Sequence, residues 1–369
     1  MGKRLRALTQ RSAGFQLLMP LMILFLLLIV NLAADTVIMK DNPNASSFFS
    51  ITLREDNFQN TVVYGSIMSI LNNASELAIL AIGMTLVTAS SRGQDISVGA
   101  VAAIAGSVFL KVVRAGVDVT WLSICLAFSV SCAVAMICGA FNGTLVAVFK
   151  IQPMIATLIM FTAGRSIAYA INGGASPKLF DELTRQIGGY FSGVPIPTPV
   201  LIVLIYAVVF ILIFKFTNLR LYVQTVGINE KASRLIGLDP VAIKLMTYIF
   251  LGICVAGAGV INTCRMQRVD HLGILGGIEM DAILAVAIGG NALGGGKFSV
   301  LGSMIGAYTI ETLNVTLLRL GVDPEPIKVY KASFIILLMF ASSPAVKNYT
   351  GKVWNSIFRK KPPVIKEEA

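Results

Sequence analysis

Long stretches of this chain carry no charge. No Asp, Glu, Lys or Arg lies between Arg11 and Asp35, between Asp118 and Lys150, between Arg185 and Lys215, or between Lys244 and Arg265. About 20 apolar residues in a helix cross the roughly 30 Å hydrocarbon layer of a bilayer. The pattern predicts an all-α, polytopic membrane bundle of about ten spans, near 15–34, 75–91, 97–114, 121–149, 153–171, 198–217, 243–264, 280–293, 298–318 and 327–343. The first run follows basic residues, as in a signal peptide. It is longer than an apolar h-region of about 7–15 residues and no small-x-small cleavage site follows, so it reads as a retained span.

Several spans are interrupted. After Gly83 comes the polar stretch Ser90-Ser91-Arg92-Gly93-Gln94-Asp95-Ile96-Ser97-Val98-Gly99. Gly289-Gly290-Asn291 and Gly294-Gly295-Gly296-Lys297 precede Ser299-Val300-Leu301-Gly302. In both, an apolar helix stops, a polar turn rich in small residues follows, and a second helix opens on a Ser-Val pair. Irregular backbone at membrane depth is tolerated only inside protein or beside water, and broken helices at matching places often mark a transport path. The glycines serve either that path or close helix packing.

The polar segments divide one transmembrane domain, 1–369, into a tail at 1–14, loops at 35–60, 172–197 and 218–242, and a tail at 345–369. None is long enough for a soluble domain with its own core, so no nucleotide-hydrolysing domain is expected here. In the 218–242 loop, Asn229 is placed to cap a short helix over 230–236, Gly237 to end it and Pro240 to stop its continuation.

Composition agrees with lipid as the main solvent. Hydrophobic residues are 56% and charged residues 13% of the 369, and mean hydropathy is +0.79, whereas soluble domains carry about 25% charged residues. The net charge of +11 would suggest nucleic acid in a soluble protein. Here Lys and Arg gather at the first tail, the 218–242 loop and the last tail, as cytoplasmic loops do. An even number of spans places both termini on that side. The five cysteines all lie in or at the end of apolar runs and His271 is the only histidine, which argues against a zinc site or a histidine-based triad. The Gly294–Lys297 run lacks the spacing and Ser/Thr of a phosphate loop.

A charge within a span is expensive and faces the bundle interior or water. Glu76, Asp95, Arg165, Glu279, Asp281 and Glu311 are such charges. Arg165 and Glu311, well inside spans, either pair to lock helices or line a polar route. Asn72, Asn73, Asn142, Gln152, Asn262, Asn291 and Asn314 add neutral hydrogen-bonding groups, and interhelical bonding is the alternative use of each. Many amides and few net charges suit a neutral polyhydroxylated solute better than an ion. The candidate pathway set is Asn72, Asn73, Glu76, Asp95, Asn142, Gln152, Arg165, Asp281, Asn291 and Glu311.

Ordered motifs carry a resemblance. They are Ala81-Ile82-Gly83-Met84-Thr85-Leu86-Val87 with Asp95-Ile96-Ser97-Val98-Gly99-Ala100; Phe141-Asn142-Gly143; Gln152-Pro153; Gly164-Arg165; Gly227-Ile228-Asn229; and 281–290 followed by Leu293-Gly294-Gly295-Gly296. From about Ser69 to Phe340 the chain resembles permease subunits of bacterial ATP-binding-cassette sugar importers of the ribose, xylose, arabinose and galactofuranose group, most of all the galactofuranose type. It departs at Ser90-Ser91-Arg92-Gly93-Gln94, where the family has a glycine pair and an isoleucine before the aspartate.

The resemblance implies a multi-pass plasma-membrane subunit that translocates a pentose or furanose-type sugar by alternating access and makes and breaks no bonds. It implies a second permease subunit, identical or paralogous, an external sugar-binding protein, and a cytoplasmic ATPase with two cassettes docked on Gly227, Asn229, Glu230, Ala232, Arg234 and Gly237. ATP is used by that partner; no cofactor or metal is expected in this chain, and no nucleic acid. A nucleoside or signalling furanose is the alternative solute. An ion-coupled transporter or a membrane enzyme are the alternative classes, disfavoured by the scarcity of deep carboxylates and histidine.

Overall fold

The computed structural model describes residues 17–18, 20–36, 47–55, 61–116 and 118–342. The two expected tails, 1–14 and 345–369, lie outside them, as do 37–46 and 56–60 of the first loop. Contacts divide the chain into Met1–Thr316 and Leu317–Ala369.

Fourteen helices follow in order among the described residues: α1 Pro20–Thr36, α2 Ser66–Asn73, α3 Ser75–Ser91, α4 Val98–Ala115, α5 Trp121–Ala147, α6 Pro153–Ile171, α7 Glu182–Gly188, α8 Thr198–Phe216, α9 Leu219–Ile228, α10 Glu230–Leu235, α11 Pro240–Met266, α12 Ile278–Ile288, α13 Val300–Arg319 and α14 Pro324–Ser342. Five of them (α4, α5, α6, α8 and α11) are long and apolar enough to cross a membrane, and α2 with α3, bent by 43°, makes a sixth. Ten spans were expected. The difference is α1, whose Pro20–Thr36 is a shorter apolar helix, and three helices of the last part: α12 ends after 11 residues at Gly289, α13 carries Ser303, Thr309, Glu311, Thr312 and Asn314, and α14 opens with Glu325, Lys328 and Lys331. The chain is not purely helical either. An antiparallel pair joins β1 Thr52–Glu55, in the expected 35–60 loop, to β2 Thr61–Tyr64, just past its end.

In the first unit, α3 is the axis: all 17 of its residues are buried. Helix α11 packs on both α3 and α5, and α4 packs on α5, α6 and α11. Lipid is as apolar as leucine, so close packing rather than hydrophobic transfer holds helices together in a bilayer. The α5–α11 seam shows how. A Cβ on Gly139 would fall 2.4 Å from the Tyr248 carbonyl, and one on Gly252 would fall 2.5 Å from the Ala135 carbonyl. The backbones meet at a distance that only glycine allows. By contrast α8 is mostly exposed along an apolar surface, with Leu204, Ile205, Val208 and Ile211 all uncovered; that is the surface of a helix facing hydrocarbon.

The loops fall into two groups that alternate along the chain. In one group, Arg265 bonds to Asn72, Leu179 and Asp181 bond to Gln267, Val269 bonds to Pro177, and Val63 of β2 bonds to Pro195. In the other, Arg92, Gly227, Ile228 and Gly296 meet. The long helices α3, α4, α5, α6, α8 and α11 run from one group to the other by turns, as successive spans do.

A candidate transport pathway and its docking loop

The break between α3 and α4 builds a polar knot. Helix α3 ends at Arg92, which takes the left-handed conformation at φ 57°. Three residues before α4, Asp95 turns back: its Oδ1 accepts from the Ser97 amide at 2.7 Å and the Ser97 hydroxyl at 2.6 Å. The Asn142 side chain, brought in by α5, donates to Asp95 Oδ2 at 3.2 Å and to Ser97 Oγ at 2.9 Å. Asp95, Ser97 and Asn142 are all buried. Asn142 Oδ1 and Tyr248 Oη beside them are buried without a protein partner. They border a cavity of about 10 Å³ that Asp95, Ser97, Asn142 and Tyr248 share. One water needs about 10–15 Å³ and two or more polar partners, so the cavity suits a single water. A small-molecule pocket runs to about 300 Å³ or more, so no sugar fits there in this conformation.

The second break repeats the construction and touches the first. Asn291 Nδ2 donates to Ser303 Oγ at 2.8 Å and to the Ser299 carbonyl at 3.2 Å, and its Oδ1 accepts from the Ser299 amide at 2.6 Å. Thr85 of α3 donates to Ser303 Oγ at 2.6 Å. The Gly296 amide donates to the Ala89 carbonyl at 3.1 Å, and Gln94 Nε2 to the Leu293 carbonyl at 3.1 Å. The two stretches that share a sequence pattern are thus hydrogen-bonded to each other.

Other pathway candidates lie elsewhere. Glu76, in the first turn of α3, meets Arg265 at 3.0 Å, and Arg265 also donates to the Asn72 carbonyl at 2.8 Å and to Asn72 Oδ1 at 3.1 Å. Asn262 approaches Glu76 at 3.4 Å, while Asn73 is exposed. At 1.5 Å rise per residue, the 17 residues of α3 separate this group from Asp95 by about 26 Å. Arg165 of α6 donates to the carbonyls of His271 at 3.0 Å, Leu272 at 2.9 Å and Ile274 at 3.3 Å. It ties α6 to the loop before α12. Glu311 accepts from Asn314 one turn on, at 2.9 Å. Gln152 is exposed at the start of α6, and Asp281 is half-buried in the first turn of α12. The candidate set therefore forms several separate groups, not one site.

The docking-loop candidates form the helices α9 and α10. Asn229 Oδ1 accepts from the Ala232 amide at 3.1 Å, capping α10, which stops at Leu235, and Gly237 takes φ +83°. Pro240 does more than end that helix: it is the first residue of α11, capped by Asp239. Arg234, Ala232 and Gly237 are exposed. Glu230 is half-buried, bonded to Lys244 at 2.7 Å and to Arg234 at 3.4 Å. The Lys244 hydrogen bond, with the cations Arg234 and Lys150 nearby, holds its carboxyl below the usual value.

Gly227 sits against the end of α3. A Cβ there would fall 1.7 Å from the Ala89 carbonyl and 2.9 Å from the Gly296 amide. Arg92 closes the junction: its Nε donates to the Gly227 carbonyl at 2.6 Å and its Nη2 to the Ile228 carbonyl. Three segments meet here: the 218–242 loop, the α3–α4 break and the glycine-rich turn. Ser97, Ser299, Ser303, Thr85 and Tyr248 were not singled out as site residues from sequence. Ser97 follows Asp95 by two residues, the spacing of an Asx turn, and could have been found. Tyr248 sits in an apolar helix and gives no local signal.

Comparison with known proteins supplies the family. Residues 66–343 match the family model described as branched-chain amino acid transport system / permease component. The chain is 36% identical to the galactofuranose transporter permease protein of Escherichia coli (strain K12), over 83% of this chain and 86% of that one. It is 36% identical to the fructose import permease protein of Bifidobacterium longum, over 78% and 80%. It is 33% identical to the ribose import permease protein of Escherichia coli (strain K12), over 77% and 87%. Among solved structures none gives a significant match. With the matched region running from α2 through α14, this multi-pass membrane protein belongs to that transport permease family.

Proposed function

We propose that this chain is the membrane-spanning permease subunit of an ATP-driven, binding-protein-dependent importer that moves a monosaccharide of pentose or furanose type by alternating access. Two such subunits form the pathway, a separate ATPase with two cassettes docks on Gly227–Gly237, and an external binding protein delivers the sugar. Helices α1, α12, α13 and α14 complete ten crossings, with both termini cytoplasmic in the bacterial inner membrane. The family description names branched-chain amino acids; three sugar permeases at 33–36% identity favour a sugar.

The observation that carries this reading is the junction at Arg92. A segment that only connected two spans would have no need to be wedged into α3. Here Gly227 and Ile228 are clamped to the same break that holds Asp95 and Asn142. A push on α9 and α10 then reaches the polar knot through four residues of backbone. Arg234→Glu tests the docking role. It reverses an exposed charge on α10 and leaves only an exposed ion pair broken, worth about 0.3–0.5 kcal/mol. Expected is loss of ATP-coupled uptake in vesicles with the protein still in the membrane. Normal uptake by that variant would sink the docking assignment.

A further inference from the structure

A second cavity lies where α8 ends and α13 begins, beside the second break, whose Ser299 lines it. It measures about 320 Å³ and is walled by Leu17, Ile211, Phe214, Ser299, Val300 and Leu301, with Lys215 and Arg220 at its polar end. Phe298 forms an aromatic floor: it stands edge-on to Phe214 at 5.0 Å, and the Arg220 guanidinium lies over it at 5.9 Å. Among the described residues neither Lys215 nor Arg220 is paired with a carboxylate. Arg220 is in the first turn of α9, whose N-terminus has no side-chain cap, so the unsatisfied amides there add to the positive potential.

We propose that this groove binds one anionic phospholipid, the phosphate between Lys215 and Arg220 and an acyl chain along α8. Charge complementarity selects the head group, since two unpaired cations share one mouth. The wall selects the source. Ile211 continues onto the exposed apolar face of α8 through Val208 and Leu212, which offers an acyl chain a path that a soluble phosphate cannot use. Basic pockets between membrane helices bind anionic head groups in this way. The chain's own first segment already lends Leu17 to the wall, but its basic part is a poor occupant of the mouth, because Lys3, Arg4, Arg6 and Arg11 would add positive charge to positive charge.

The test uses the full chain purified in neutral detergent, with phosphatidylglycerol, phosphatidylcholine or sn-glycerol 1-phosphate added. Retained lipid is counted by native mass spectrometry and the melting temperature is followed. Phosphatidylglycerol should be retained and raise the melting temperature, and phosphatidylcholine should do neither. Each cation near an anionic surface contributes about 1 kcal/mol, or about five-fold, so Lys215→Gln with Arg220→Gln should weaken retention roughly thirty-fold. Leu301→Trp, which fills the groove and leaves both cations, should weaken it as well. The lipid-free melting temperature of each variant shows whether it folds. Retention unchanged in both variants would overturn the proposal. So would an equal stabilisation by sn-glycerol 1-phosphate, which would make the ligand a free anion. The readout is binding, so it stands or falls independently of what the protein transports.

Discussion

Removing the Arg92 side chain should uncouple the docking loop from the α3–α4 break while leaving the docking surface in place. Arg92 makes two charge-assisted hydrogen bonds, to the carbonyls of Gly227 and Ile228. Such bonds contribute about 1.5–3 kcal/mol each when sheltered. Arg92 is exposed overall, so water competes, and the pair together is taken as about 2 kcal/mol, or roughly thirty-fold in an equilibrium between joined and parted states. A backbone effect has to be separated from this. Arg92 sits at φ 57°, a conformation that disfavours side chains by about 1–2 kcal/mol. Arg92→Ala loses the bonds and keeps the strain, Arg92→Gly loses the bonds and relieves it, and Arg92→Lys keeps the charge without the planar fork. The assay is sugar-stimulated ATP hydrolysis and uptake by the reconstituted complex, with co-purification of the ATPase as the control for assembly. Uptake should fall ten-fold or more in both the Ala and Gly variants, with Lys between them and wild type, and ATPase should still co-purify. Full uptake by Arg92→Gly would refute the role of the side chain, and ATPase loss in step with uptake would make Arg92 an assembly residue instead.

Further outcomes follow from the same contacts. Gly227→Ala places a carbon 1.7 Å from the Ala89 carbonyl, so α9 must part from α3; overpacking of this kind costs about 1–3 kcal/mol, and a cysteine pair engineered between positions 89 and 228 should lose its crosslinking. Gly237→Ala meets no neighbour but keeps φ +83°, so it should cost only about 1 kcal/mol and leave that crosslink intact. Glu76→Gln leaves the Arg265 charge poorly paired, and breaking a buried ion pair costs about 3–5 kcal/mol. Its melting temperature in detergent should drop well below wild type, and the double variant Glu76→Met with Arg265→Met should recover most of the loss. The Glu230 carboxyl titrates below its ordinary 4.5 because Lys244 bonds to it. A depressed folded value means that its support for the docking loop is complete above that pH and fades as pH falls through the lower folded value. Association of the ATPase should weaken over that acid range in wild type, and Glu230→Gln should flatten the profile.

The legible parts of this protein are those set by local chemistry. Apolar runs placed α3, α5, α6 and α8 to within two residues at each end, because in lipid a backbone must satisfy its own hydrogen bonds along the helix. Asn229 announced α10, since a cap needs only its own neighbours. The hairpin at 52–64 was not legible. Thr, Val and Tyr favour strands there, but β2 also bonds Pro195, a partner more than a hundred residues away. Nor was the count of clear membrane crossings among the described residues: α1 and α12 are short, and α13 and α14 mix polar and charged residues with apolar ones.

For the site, composition alone could nominate Asp95, Asn142, Asn291 and Arg165 as polar groups too costly to leave idle in a bilayer. Which of them meet was a tertiary decision. Asp95 joins Asn142 because α5 crosses the α3–α4 break; Arg165 goes to loop carbonyls; Glu76 is about 26 Å away from Asp95 along α3. Arg92 looked like a departure from a family pattern, and the fold ties it to the carbonyls of Gly227 and Ile228, between the 218–242 loop and the α3–α4 break. A sequence states what each residue prefers as its solvent and its local turn. Only packing, where a glycine lets two backbones touch, decides which distant residues share one position.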